Sequence, residues 1–167
     1  PIDLTKLNPD FMIGSSVKWL CGGPGAAYLW VNSNQLSQCN PKDVGWFSHE
    51  NPFEFDIHNF RYHESALKFW GGTPSIAPYA IATHSINYFE TIGIDNIRKH
   101  NQSLIEKVAN ILGDEFASPR DENYRNGTMI LDFGKNQDIL LHELKKNNIS
   151  IDLRNQGMRV SPHIYNN

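Results

Sequence analysis

The chain has 167 residues, 40% of them apolar, and a formal net charge of −3. No apolar run reaches the ~20 residues that a helical membrane span needs. With no basic block, nucleic acid and an anionic membrane surface lose support as partners. Cys21 and Cys39 match neither a disulfide framework nor a zinc motif, so a cytoplasmic protein of one domain, or a piece of a larger one, is expected.

In chain order, Asp10-Phe11-Met12-Ile13-Gly14-Ser15 and Ala26-Ala27-Tyr28-Leu29-Trp30-Val31 read as buried strands. Between them lies Ser15-Ser16-Val17-Lys18-Trp19-Leu20-Cys21-Gly22-Gly23-Pro24-Gly25. A lysine at the end of an apolar stretch can be pressed into a poorly solvated pocket, where its amine loses a proton more readily and attacks carbonyls. The glycines give the backbone freedom to wrap closely around a ligand. Residues 37–63 carry Pro41 and Pro52 and lack periodicity, so they read as irregular loop, of a length often associated with function.

From Pro74 the pattern turns helical. Ser75 through Ile92 forms one predicted helix ending at Gly93. Asp95 caps a second, with Ile97, Leu104, Ile105, Val108 and Leu112 on one face and Gly113 as its stop. A strand over 128–133, a helix near Gln137–Lys145, a strand over 150–154 and another at 158–160 complete a βαββ series, read as a small α+β domain cut short. The opening at Pro1 and the stop at Asn167, just after an apolar stretch, read as the cuts of a fragment.

Several side chains are candidates for chemistry. Ser15, the amides after Lys18 and Gly71-Gly72-Thr73-Pro74 offer hydroxyls and bare backbone N–H groups of the kind that hold a phosphate. Thr73 is expected at the mouth of a helix, where the dipole favours anions; the same four residues also read as a turn and N-cap with proline near the first helical position. Arg159 falls on a predicted strand, with Met158 and Val160 on the opposite face. It reads either as an exposed strand arginine or as a two-pronged clamp for a substrate carboxylate, and Arg154 has the same two options. His49, Glu50, His58 and His63 invite a metal reading. However, Phe53 stands where a zinc-protease helix needs its second histidine, and Pro52 interrupts that helix. Trp46 is either core or a cover over a ligand with its indole N–H as donor.

Lys18 before Gly22-Gly23-Pro24-Gly25, then Gly45-Trp46-Phe47-Ser48-His49-Glu50, Gly71-Gly72-Thr73-Pro74-Ser75, Asp152-Leu153-Arg154 and Arg159-Val160-Ser161-Pro162, form an ordered set running through nearly the whole chain. This set resembles the class V aminotransferase family of pyridoxal-phosphate enzymes of fold type I, and within it the kynureninase-like branch.

The resemblance implies an α/β fold. Residues 1–75 would be the C-terminal part of a large cofactor-binding domain, 76–113 connecting helices, and 114–167 a truncated small α+β domain. It implies pyridoxal 5'-phosphate as cofactor and an amino acid as substrate. Lys18 would form the internal aldimine and later move protons at the substrate α-carbon, and Ser15 would bind the cofactor phosphate within its own subunit. Trp46 and Thr73 would reach the phosphate of the neighbouring subunit, making a homodimer with shared active sites, and Arg159 would hold the α-carboxylate.

Val17 stands where similar kynureninases carry tyrosine and cysteine desulfurases histidine, and no cysteine follows Cys39 to serve as a desulfurase nucleophile. The aspartate and the stacking aromatic that serve the cofactor ring in this family would precede Pro1, so the segment by itself is expected to be inactive. The alternative is a non-catalytic relic of the fold, kept for dimerisation or binding.

Overall fold

A computed structural model describes residues 2–167. The chain forms two compact units, residues 1–91 and 92–167.

The first unit opens with a short helix, α1 (Leu4–Leu7), capped by the Asp3 carboxylate. It continues into the antiparallel hairpin of β1 (Phe11–Ser15) and β2 (Ala27–Val31), in which Phe11 pairs with Val31 and Ser15 with Ala27. The two runs expected as buried strands pair with each other, with the lysine segment as their connection, but they are not buried. Within the two strands only Val31 is enclosed, while Phe11, Ile13, Tyr28 and Leu29 are exposed because no second layer of described residues covers them. A second short helix, α2 (Ser33–Leu36), starts at Asn32, whose side chain caps it and also donates to the Asn8 side chain at 2.9 Å.

Residues 37–63 are largely irregular, as their composition predicts, apart from a 3-10 turn at Trp46–Ser48 and a bridge between His49 and Tyr62, and are held by specific bonds. The buried Lys68 ammonium donates to the carbonyls of Leu36 at 2.7 Å and Cys39 at 3.3 Å, and the Tyr62 hydroxyl to that of Pro41 at 2.8 Å. Arg61 reaches Glu50 through Nε at 3.1 Å and Glu54 through Nη1 at 3.1 Å. The bonds of Lys68 and Tyr62 join residues 21 to 32 apart in sequence, which is why local periodicity did not reveal them.

Helix α3 spans Ala77–Ile92 and helix α4 Ile94–Leu112. Asp95 is not the cap of α4. Gly93, at φ 85°, turns the chain directly from one helix into the next, so Gly93 is the N-cap and Asp95 falls in the first turn, where its charge still suits the helix dipole. Gly113 stops α4 as expected.

The second unit is built on α4. Strands β3 (Met129–Leu131), β4 (Asp152–Arg154) and β5 (Gly157–Val160) form an antiparallel sheet of order β3-β5-β4, with α5 (Gln137–Lys146) between the first two in sequence. Ile105, Ala109, Phe116, Met129, Leu131 and Met158 form its core, with Val108, Leu112, Leu140, Leu144 and Val160 packed around them. The α4 face also buries Asn101 and Gln102, which the apolar pattern did not foretell. Both are satisfied: Asn101 donates to the Pro162 carbonyl at 2.8 Å, and Gln102 accepts from the buried Arg125 at 2.7 Å.

Candidate functional site

Lys18 sits on the connection between β1 and β2, and the base of its loop is closed. The N–H of Gly22 donates to the Ser16 carbonyl at 2.8 Å, and the N–H of Ser16 to the Ala26 carbonyl at 3.1 Å. Cys21 N–H closes a tighter turn on the Lys18 carbonyl at 2.9 Å, with Cys21 at φ 49°.

The glycines serve packing. A Cβ on Gly22 would lie 2.6 Å from Cβ of Ser16 and 3.1 Å from the α3 backbone at Ala82; one on Gly25 would meet Pro78 at 3.0 Å. Their room is taken by the chain itself, not left open for a ligand, and Ser85 of α3 adds a hydrogen bond to the Leu20 carbonyl.

Lys18 itself is exposed, between exposed Val17 and Trp19, and its ammonium has no hydrogen-bond or ion-pair partner among the described residues. The poorly solvated pocket expected around it is thus not formed by these residues. The amine stands on a firmly based loop that no described residue covers.

Ser15, the last residue of β1, is exposed. It lines a cavity of about 1010 Å³ whose walls include Ile13, Tyr28, Leu67, Trp70 and Tyr79. Its neighbour Ser16 is buried and its hydroxyl is engaged by the Ala26 carbonyl at 3.2 Å, so of the two serines only Ser15 keeps a free hydroxyl.

The segments 45–48 and 70–73 lie against each other. A Cβ on Gly45 would fall 1.7 Å from the Gly71 carbonyl oxygen, so only glycine fits there. Ser48, fully buried, accepts the Gly45 N–H at 3.1 Å and donates to the Trp70 carbonyl at 2.9 Å. From this clamp Trp46 and Thr73 both emerge exposed. Trp46 is therefore not core; its ring meets Phe55 edge-on at 5.9 Å between centroids.

Thr73 does not stand at a helix mouth, because α3 begins only at Ala77. Pro74 disfavours helical geometry at Thr73, and it is Pro78 that occupies the helix's first turn, where its missing N–H costs nothing. Gly72 has open space around it. The donors at Ser15, Trp46, Thr73 and the 71–72 backbone fit an anion such as a phosphate by their chemistry.

In the second unit Arg159 lies on β5 opposite Asp152 of β4 and is half-buried, while Met158 beside it is fully enclosed in the core. The guanidinium approaches the Asp152 carboxylate through Nη1 at 3.6 Å, and Arg154 contacts the same carboxylate oxygen. Two arginines around one aspartate leave a net single positive charge, suited to one further carboxylate. Asp152 and Ser48 were within quoted motifs but without a role. The Asp-x-Arg spacing, which places both side chains on one face of a strand, was the available signal for the first; nothing local signalled the second.

His49 is buried, with Nδ1 taken up by the Asn51 backbone at 2.8 and 2.9 Å and its ring edge-on to Phe60. Among the described residues no three of His, Cys, Asp and Glu gather as a metal site, so His49, Glu50, His58 and His63 are not brought together. No described helix is long and apolar enough to cross a membrane.

A family model for aminotransferase class-V matches residues 1–166, and the chain belongs to that family. It is 31% identical to a kynureninase of Shouchella clausii over 97% of this chain and 40% of that protein. To an uncharacterised aminotransferase of Bacillus subtilis it is 25% identical, over 99% of this chain and 44% of the relative. The chain therefore spans about two fifths of the length of these curated relatives.

Among solved structures, the apo cysteine desulfurase of Thermococcus onnurineus NA1 superposes with a TM-score of 0.84 at 20% identity, covering 98% of this chain and 44% of that one. A variant of the cystine C-S lyase C-DES, with glycine covalently linked to its pyridoxal-phosphate cofactor, superposes at 0.75 and 18% identity over 98% of this chain and 44% of that one. The fold is thus the expected mixed helix and strand architecture of fold type I, represented in part.

Proposed function

We propose that the chain is part of a pyridoxal-phosphate-dependent enzyme acting on an amino acid, a kynureninase-like hydrolase or lyase or a class V aminotransferase, with Lys18 as the covalent anchor of the cofactor. The observation that carries this reading is the placement of Lys18: an unpaired amine on a loop closed at its base, directly after the strand that ends in the free hydroxyl of Ser15. Residues 1–75 would belong to the large domain and 114–167 to the small one, with 76–113 connecting them.

When bound, the cofactor supplies an electron sink for a carbanion at the substrate α-carbon. This chain's residues would hold and orient it. Ser15 donates its hydroxyl to the phosphate in the same subunit. Trp46, through its indole N–H, and Thr73, through its hydroxyl, do so for the phosphate of a second copy, so that the working unit is a homodimer. Arg159, steadied by Asp152, binds the substrate α-carboxylate with paired N–H groups. Lys18 would hold the cofactor and would also be the group that moves a proton at the substrate α-carbon. Val17 can supply neither a hydrogen bond nor a proton, so any proton relay that kynureninases place before the lysine must come from elsewhere.

The test is borohydride reduction of the full-length protein in the presence of cofactor, followed by digestion. A pyridoxyl group on Lys18 is expected; its absence from Lys18 overturns the reading. A visible absorption band that shifts with an amino acid from a panel names the substrate class, and a cofactor band that no amino acid shifts favours the non-catalytic relic that Val17 suggests.

A further inference from the structure

We propose that Ser48 is a positioning residue that couples Trp46 and Thr73 into one phosphate-binding element. The inference rests on the reading of Trp46 and Thr73 given above. Ser48 is completely enclosed, so it offers nothing to a ligand at the surface itself.

A serine hydroxyl has one proton to donate and lone pairs to accept with. Here the proton goes to the Trp70 carbonyl, at 2.9 Å, and a lone pair takes the Gly45 N–H, at 3.1 Å. Its backbone is engaged too: Ser48 N–H donates to the Gly45 carbonyl at 3.0 Å, and its carbonyl accepts the His63 N–H at 2.8 Å. The bond to Trp70 is the one hydrogen bond among the described residues that joins segment 45–48 to segment 70–73.

Trp46 follows Gly45 and Thr73 lies three residues after Trp70, so the hydroxyl sits at the junction from which both exposed side chains leave. The missing side chain of Gly45 is what allows the approach, since any Cβ would collide with the Gly71 carbonyl. Glycine thus makes the contact possible and the serine fixes it. Remove the hydroxyl and Gly45 N–H and Trp70 C=O are both left unpaired in an enclosed place; the segments then separate or rotate to find water.

The experiment uses the full-length protein stripped of cofactor and titrated with pyridoxal 5'-phosphate, following absorbance or tryptophan quenching. Ser48→Ala is expected to raise the Kd about 10- to 100-fold, the equivalent of one buried hydrogen-bond link. Ser48→Cys, close in shape but a weaker donor, is expected to recover part of that loss. The decisive comparison is Trp46→Phe with Thr73→Val, without and with Ser48→Ala. If Ser48 acts through these two, adding Ser48→Ala leaves the Kd of the double variant unchanged.

A further multiplicative loss overturns the proposal, and so does an unaltered Kd for Ser48→Ala alone. A merely structural role would lower the melting temperature of the cofactor-free protein without tying the Kd to Trp46 and Thr73. If Trp46→Phe and Thr73→Val themselves leave the Kd untouched, the phosphate reading falls and Ser48 with it; if they weaken binding and Ser48→Ala does not, only the Ser48 proposal falls. Should Ser48→Ala fail to fold, Ser48→Cys carries the same comparison.

Discussion

In residues 92–167 the apolar side chains of α4, β3 and β5 meet around Met158, which has no exposed surface, and a buried arginine completes the interior by bonding to Gln102 and to Glu106. In residues 1–91, by contrast, Ile13, Phe53, Phe55 and Ile57 are left 67 to 87% exposed. Few large apolar side chains of that unit are enclosed, Val31 and Phe89 among them. Yet that same unit holds most of the proposed chemistry: Lys18, Ser15, Trp46 and Thr73. The difference teaches that the packed interior and the proposed chemistry fall on different parts of this chain. The region richest in candidate donors is organised by hydrogen bonds, glycine contacts and single ionic links, while the region with a packed interior contributes one arginine, Arg159, proposed as the carboxylate clamp.

Substitutions at Lys18 test the contrast most severely. In the full-length protein Lys18→Ala is expected to lower turnover by at least ~10²–10⁴-fold, the range set by loss of a positioned proton-transfer group. Without cofactor, its unfolding free energy should change by no more than about 0.5 kcal/mol, because the side chain is exposed and has no partner among the described residues. A large loss of stability would break the division proposed between the two regions.

The opposite behaviour is expected in the core. Met158→Ala should cost about 2–5 kcal/mol in urea denaturation, whereas Ile13→Ala, at a position 79% exposed, should cost less than about 0.5 kcal/mol. Equal effects at the two positions would show that Ile13 is enclosed in the working protein, and would locate a covered face on β1.

Arg159→Gln is expected to remove about 1.5–3 kcal/mol of substrate binding, read as a raised KM, through loss of a charged hydrogen-bond donor. A purely surface arginine would leave KM unchanged. The smallest effect belongs to the loop at 37–63. Hydrogen bonding to Arg61 holds the Glu54 carboxyl below its ordinary value of 4.5. A lowered folded-state value stabilises fully above the ordinary value and is lost as pH falls through the lowered one. The stability difference between the native chain and Glu54→Gln should therefore be small at pH 7 and vanish in acid, following denaturation at a series of pH values.

Much of this was legible in the sequence. Short apolar runs between turn signals marked β1 and β2, helical spacing marked α3 and α4, and glycine placed the end of α4, because these depend on neighbours a few residues away. The pairing of Asp152 with Arg159 depends on the register of two strands, and the burial of Asn101, Gln102 and Arg125 on bonds made across a unit. Gly93 replaced Asp95 as a cap because a left-handed glycine needs no side-chain acceptor. Thr73 lost its helix because two prolines compete for the start and the later one prevails. The exposure of Lys18 was illegible for a different reason: an apolar run says what a strand can bury, not whether anything is there to bury it against.

The closed base of the Lys18 loop has a consequence for length. Because the bond between Gly22 and Ser16 fixes both ends, the number of residues between them is a ruler that sets where the amine stands. Side chains along it can vary, but one residue added or removed would re-aim the lysine or break the seal. Of all the irregular stretches in this chain, this short one should tolerate insertion least.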